Sequence, residues 1–89
     1  MFYVYILKSV SDGNLYIGYT QDLRRRFAEH NSGESKSTKS RGLFDLIYYE
    51  AYKTKEDALA KEKFFKTGWG RAYIKRNLKN YFQDKSLGG

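Results

Sequence analysis

Apolar and polar positions along this chain keep different rhythms, and each rhythm marks an element. Phe2-Tyr3-Val4-Tyr5-Ile6-Leu7 has no polar interruption, the pattern of a strand buried on both faces in the middle of a sheet. Ser11-Asp12-Gly13-Asn14 is turn chemistry, with a glycine free to take positive φ, and leads into a second strand from Leu15 to Thr20. The two predict a hairpin. Thr20 or Asp22 can cap a helix through Leu23-Arg24-Arg25-Arg26-Phe27-Ala28-Glu29-His30, which Ser32-Gly33 stops. Residues 31–42 contain no apolar residue and read as a polar, basic loop. Strand character returns between Leu43 and Tyr52, centred on Leu46-Ile47-Tyr48-Tyr49, and Thr54 with Asp57 opens a helix that ends at Thr67-Gly68. A last helix runs from Arg71 toward Phe82, with Ile74, Leu78 and Tyr81 on one apolar face. The order is β-β-α-β-α-α, which predicts an α+β fold: a three-stranded antiparallel sheet flanked by helices, one domain over 1–83 and a flexible tail over 84–89.

The same periods say which polar groups meet. Across the hairpin, Tyr5, Tyr16 and Gly18 share a face, since strand side chains alternate. A tight turn offsets the two rings along the strands and a wider loop sets them opposite; both registers stay open. Gly18 between large neighbours marks close approach by a backbone or a ligand. Arg26 and His30, four apart, project from one side of the first helix beside the Leu23 and Phe27 stripe, whereas Arg24 and Arg25 point elsewhere. In the next helix Ala58, Leu59 and Phe65 define the apolar direction and Glu62 falls within it. An inward carboxylate must be paired or bind a cation, so a salt bridge to Arg26 or a neighbouring lysine and a metal site are both open. Each tyrosine has a packing role as its alternative, and His30 that of a surface histidine favoured by a helix C-terminus. Trp69, between two glycines, reads as an anchor for the last helix, with base stacking as the alternative.

Composition changes this picture in two respects. Among 89 residues, 17 Lys and Arg against 10 acids leave a net charge of +7, which favours a polyanionic partner. The basic loop with Lys36, Lys39 and Arg41 is where backbone phosphate contacts are expected. The absence of cysteine excludes disulfides, thiolate catalysis and zinc-finger chemistry, and fits a reducing cytoplasm. The opening apolar run is too short for a signal peptide core or a membrane span, so a soluble protein without a membrane partner is expected.

Two tyrosines, an arginine, a histidine and one carboxylate in a basic protein suit phosphodiester hydrolysis. An arginine fork grips phosphate and neutralises developing charge. One carboxylate is too few for a transition-metal cage but suits Mg²⁺, which keeps most of its waters and accepts phosphate oxygens, with Mn²⁺ as a substitute.

Tyr3-Val4-Tyr5, then Tyr16-Ile17-Gly18, Arg26, His30 and a later helical Glu62 resemble the GIY-YIG nuclease superfamily, the small stand-alone bacterial members above all, over nearly the whole chain. The resemblance implies that Tyr16 helps activate the attacking water, Tyr5 positions water or phosphate, and Arg26 stabilises charge. It also implies that His30 assists near the scissile phosphate and that Glu62 binds the metal. Tyr3 stands where the family has its first glycine, and Asn77 and Asn80 are both candidates for a late polar residue. The expected activity is a divalent-metal-dependent endonuclease on DNA, in repair or recombination, with RNA as a second candidate substrate. An active monomer nicks one strand, and a weak homodimer is the route to paired cuts. The alternatives are a nucleic-acid-binding module that does not cut, and an interaction subunit of a repair complex.

Overall fold

The uninterrupted apolar run becomes the central strand of a sheet in the computed structural model, which describes residues 1–35 and 42–84. Strands β1 (Phe2–Ser9), β2 (Leu15–Thr20) and β3 (Phe44–Tyr52) form a three-stranded antiparallel sheet in the order β2-β1-β3. Val4, Tyr5, Ile6 and Leu7 are each at most 1% exposed, as a strand covered on both faces requires. Lys36, Lys39 and Arg41, and the tail beyond Asp84, lie outside the described residues.

Helices α1 (Leu23–Ser32), α2 (Lys55–Phe65), α3 (Gly68–Asn77) and α4 (Lys79–Gln83) supply the covering layers. On one face Tyr5, Leu7 and Phe44 pack with Tyr16, Leu46 and the α1 residues Leu23 and Phe27. On the other, Val4, Ile6 and Ile17 pack with Ala58 and Phe65 of α2 and Ile74 of α3. Burying each of the fully enclosed side chains Val4, Ile6, Leu7 and Phe65 stabilises the fold by about 1.5–3 kcal/mol.

The turn settles the hairpin register. Gly13, at φ 74°, donates its N–H to the Ser9 carbonyl at 2.9 Å, and the Ser9 N–H donates to the Asn14 carbonyl at 2.9 Å. Tyr5 therefore pairs with Gly18 and Leu7 with Tyr16, so the two tyrosines are offset along the sheet rather than opposite. Between β1 and β3 the register shifts: Ile6 pairs with Tyr48 and Leu7 with Leu46, leaving Ile47 as a β-bulge.

Asp22, not Thr20, caps α1, its Oδ1 accepting from the Arg25 N–H at 3.1 Å. Thr54 caps α2 through the Asp57 N–H at 3.2 Å. The stretch from Arg71 toward Phe82 is not one helix. A helix begins three residues earlier, where Thr67 caps α3, and it breaks at Leu78 (φ −109°, ψ 36°) before α4. The break turns Phe82 onto the core beside Leu78, in the place expected for Tyr81, whose ring instead receives the Lys8 ammonium at 5.3 Å. Trp69 is no anchor: it is 82% exposed. The close approach there belongs to Gly70, where a Cβ would lie 1.9 Å from the Phe64 carbonyl oxygen.

Candidate active site

Four of the five predicted side chains gather between α1 and the first two strands. A Cβ on Gly18 would lie 2.3 Å from the Tyr5 hydroxyl oxygen and 2.4 Å from its Cζ. The close approach expected at Gly18 is thus made by a side chain of the neighbouring strand, and it lets the Tyr5 ring lie across β2. Its hydroxyl then reaches His30 Nε2, to which it is hydrogen-bonded at 2.8 Å.

His30 sits in the last turn of α1 and is 1% exposed, so the surface-histidine alternative is overturned. Its ring packs edge-on against Tyr16 at 5.0 Å and against Phe44 at 6.3 Å between centroids. Burial, followed by the Arg26 charge, holds the imidazole below its ordinary pKa, so it is neutral at physiological pH. Burial also pushes the Tyr5 hydroxyl up to about 12, against the pull of Arg26 beside it; the Tyr16 and Glu62 charges push the same way as burial. Tyr5 is therefore a persistent proton donor and not a base. Tyr16 is half-buried and keeps an open side.

One turn before His30, Arg26 donates from Nη1 to Glu29 Oε1 at 3.0 Å and from Nη2 to the buried Ser35 Oγ at 3.2 Å. Burial opposes its charge, but Glu29 and Tyr5 more than offset this and hold the guanidinium pKa above its usual value. Its side chain remains 32% exposed beside a recess of about 270 Å³ that Thr20, Arg25 and Glu29 also line. Arg26 thus keeps its charge beside open space, while the imidazole one helical turn on is buried.

Glu62 comes from α2, and its charge is felt at the Tyr5 hydroxyl. The carboxylate is at the rim of the core, with its side chain 20% exposed, and it accepts from Lys66 Nζ at 3.1 Å. Of the two salt bridges open in the sequence, the neighbouring lysine takes it; Arg26 is occupied by Glu29. Leu59, placed on the apolar face by pattern, is 39% exposed, because the buried stripe of α2 follows Ala58 and Phe65 only. No group of three or more His, Cys, Asp or Glu capable of holding a metal occurs among the described residues. A single hard carboxylate at a half-open rim fits a cation that keeps its water shell, and does not fit a zinc-type cage.

Pattern did not single out Glu29, Ser35 or Lys66, though the i,i+3 and i,i+4 spacings of Arg26–Glu29 and Glu62–Lys66 carry the signal. Asn31 was also missed: its Oδ1 accepts from the Phe44 N–H at 2.7 Å and its Nδ2 donates to the Phe44 carbonyl at 3.2 Å, tying the end of α1 to β3. Asn77 lies beside the Tyr48 hydroxyl, on the α2 and α3 side of the sheet. There Glu50 accepts from both Tyr48, at 2.5 Å, and Tyr52, with Lys61 Nζ 3.5 Å away.

A family model described as the GIY-YIG catalytic domain matches residues 1–81. A UPF0213 protein of Bacillus pumilus SAFR-032 is 47% identical over 70 residues, covering 78% of this chain and 69% of that protein. A UPF0213 protein of Streptococcus pneumoniae R6 is 48% identical over 65 residues, covering 72% and 65%. The solution NMR structure of the UPF0213 protein BH0048 from Bacillus halodurans matches with a TM-score of 0.52 and 38% identity, over 83% of this chain and 82% of that one.

Proposed function

Because this chain belongs to the GIY-YIG catalytic-domain family, we propose that it is a divalent-metal-dependent endonuclease that hydrolyses phosphodiester bonds of DNA. The observation that carries the reading is the joined set itself: Tyr5 bonded to a buried His30, Tyr16 against the same imidazole, and Arg26 one helical turn away. Tyr16, the more open tyrosine, orients the attacking water and, as the phenolate, takes its proton as the new P–O bond forms; the bond to the leaving oxygen breaks and that oxygen takes a proton from solvent. Tyr5, which stays protonated, and neutral His30 hold each other and fix the Tyr16 ring. Arg26 grips a phosphate oxygen and stabilises the charge that grows on it. Glu62 would hold the metal, Mg²⁺ or Mn²⁺, which when bound polarises the phosphate and acidifies its water.

Lys36, Lys39 and Arg41 would add phosphate contacts that strengthen binding without reading sequence. No helix among the described residues is long and apolar enough to cross a membrane, and we place the activity in the cytoplasm, in repair or recombination. A monomer carrying one such site nicks a single strand.

The test is a panel of supercoiled, flapped and branched DNAs and an RNA, with and without Mg²⁺. Glu62→Ala and Tyr16→Phe are each expected to lower cleavage by about 100-fold or more, the usual scale for losing such a group, with helical content and melting temperature unchanged. Retained cleavage by Glu62→Ala would overturn the metal assignment. Metal-independent binding with no cleavage of any substrate would replace the nuclease by a binding module.

A further inference from the structure

Trp69 is the only tryptophan of the chain, and at 82% exposure it is the most exposed large apolar side chain among the described residues. The backbone beneath it is held firmly. Thr67 Oγ1 accepts from the Gly70 N–H at 3.0 Å and donates to the Phe64 carbonyl at 2.7 Å. Gly70 is buried so closely on Phe64 that no side chain fits there. The corner therefore holds the indole face open to solvent, where a partner with a flat apolar face can reach it.

The corner adjoins the candidate site. Three residues before Trp69, Lys66 reaches back to the Glu62 carboxylate at 3.1 Å, and three residues of chain span at most about 10 Å. Lys66 and Arg71 flank the indole in sequence, and the molecule carries a net charge of +7, which favours an anionic partner there. An anion with a flat apolar face is a nucleotide, and an indole is a sequence-tolerant platform for a base. A base inside a duplex has both faces covered by its neighbours and cannot use it.

We propose that Trp69 stacks on an unpaired base of the DNA strand beside the Glu62 end of the site, making a flap, gap or frayed end the preferred substrate class. This rests on the endonuclease reading and narrows its substrate.

The test uses the whole chain in EDTA, so that cleavage plays no part, with three probes: an oligothymidylate, an abasic deoxyribose-phosphate oligomer of equal length, and a blunt duplex. Trp69 emission comes from one residue, so quenching reports stacking directly. Oligothymidylate is expected to quench it, and Trp69→Ala to weaken oligothymidylate binding by about 5- to 150-fold, the range of one base–aromatic stack. Trp69→Phe should keep most of the affinity. The abasic oligomer should bind wild type and Trp69→Ala alike, and neither it nor the duplex should quench. Absent quenching, a loss below about fivefold, or an equal loss on the abasic oligomer overturns the platform. Failure of the nuclease reading looks different: the stacking results stand, but no probe is cut when Mg²⁺ is added.

Discussion

A side chain at position 18 would have to share space with the Tyr5 ring, and the chemistry of the site depends on its absence. With a Cβ 2.3 Å from the Tyr5 oxygen, Gly18→Ala displaces the ring and with it the bond to His30. The expected cost is about 1–3 kcal/mol, as for other overpacked cores, measured by urea unfolding. In a Tyr5→Ala background the same substitution should cost almost nothing, so a double-mutant cycle reads the contact directly. His30 gives a second prediction. Its pKa in the folded protein lies below the unfolded value, so the unfolded chain binds the extra proton first. Stability is then full above pH about 6.5, falls as pH drops toward the folded pKa, and levels off below it. His30→Phe should remove this step from a pH series of melting temperatures. The spacing of Arg26 and His30 was readable because a helix places residues four apart on one side. The burial of His30 was not, since it depends on Phe44, which is 14 positions away and reaches the imidazole only through the sheet.

Elements were readable to the extent that their ends carry chemistry. Asp22, Thr54 and Gly33 mark helix ends by side-chain caps or a positive φ of 82°, and each acts as its residue type predicts. Where an end lacks such a marker the pattern misleads. Leu78 has no glycine or proline beside it, yet the helix breaks there because Leu78 and Phe82 must both reach the core. Thr67 is a case between the two: it looks like the end of one helix and is the cap of the next. Thr67→Ala removes the acceptor for the Gly70 N–H and should lower stability by about 1 kcal/mol, as cap losses do. Thermal unfolding checks this, and the same variant should loosen the corner that presents Trp69, broadening its fluorescence anisotropy decay.

At the scale of the molecule, the sheet separates two layers with different work. One face holds Tyr5, Tyr16 and the imidazole under α1; the other holds the hydrocarbon of α2 and α3 and the Glu50 network. Glu62 is the exception that joins them, because it rides on the second layer while its charge reaches Tyr5. Helical pattern alone placed it inward without saying toward which layer, since a period reports a direction about one axis and not what lies there. The fold class followed from the order of elements, as the likeness to BH0048 supports, and the central place of β1 from its uninterrupted apolar run. The hairpin register required the turn geometry.

The bulge at Ile47 bears on how this strand can change over generations. Leu46 and Tyr49 pair with Leu7 and Tyr5 on the tyrosine side, while Ile47 and Tyr48 both turn to the other. Strict alternation would result if Ile47 were missing. A gene could therefore lose this one codon and leave Phe44, Leu46 and Tyr49 on their present side, forfeiting only the contacts of a single isoleucine. A codon lost at Asp45 or Glu50 would turn the residues on one side of the gap onto the wrong face. Among the positions of β3, length variation in descendants of this sequence should collect at 47.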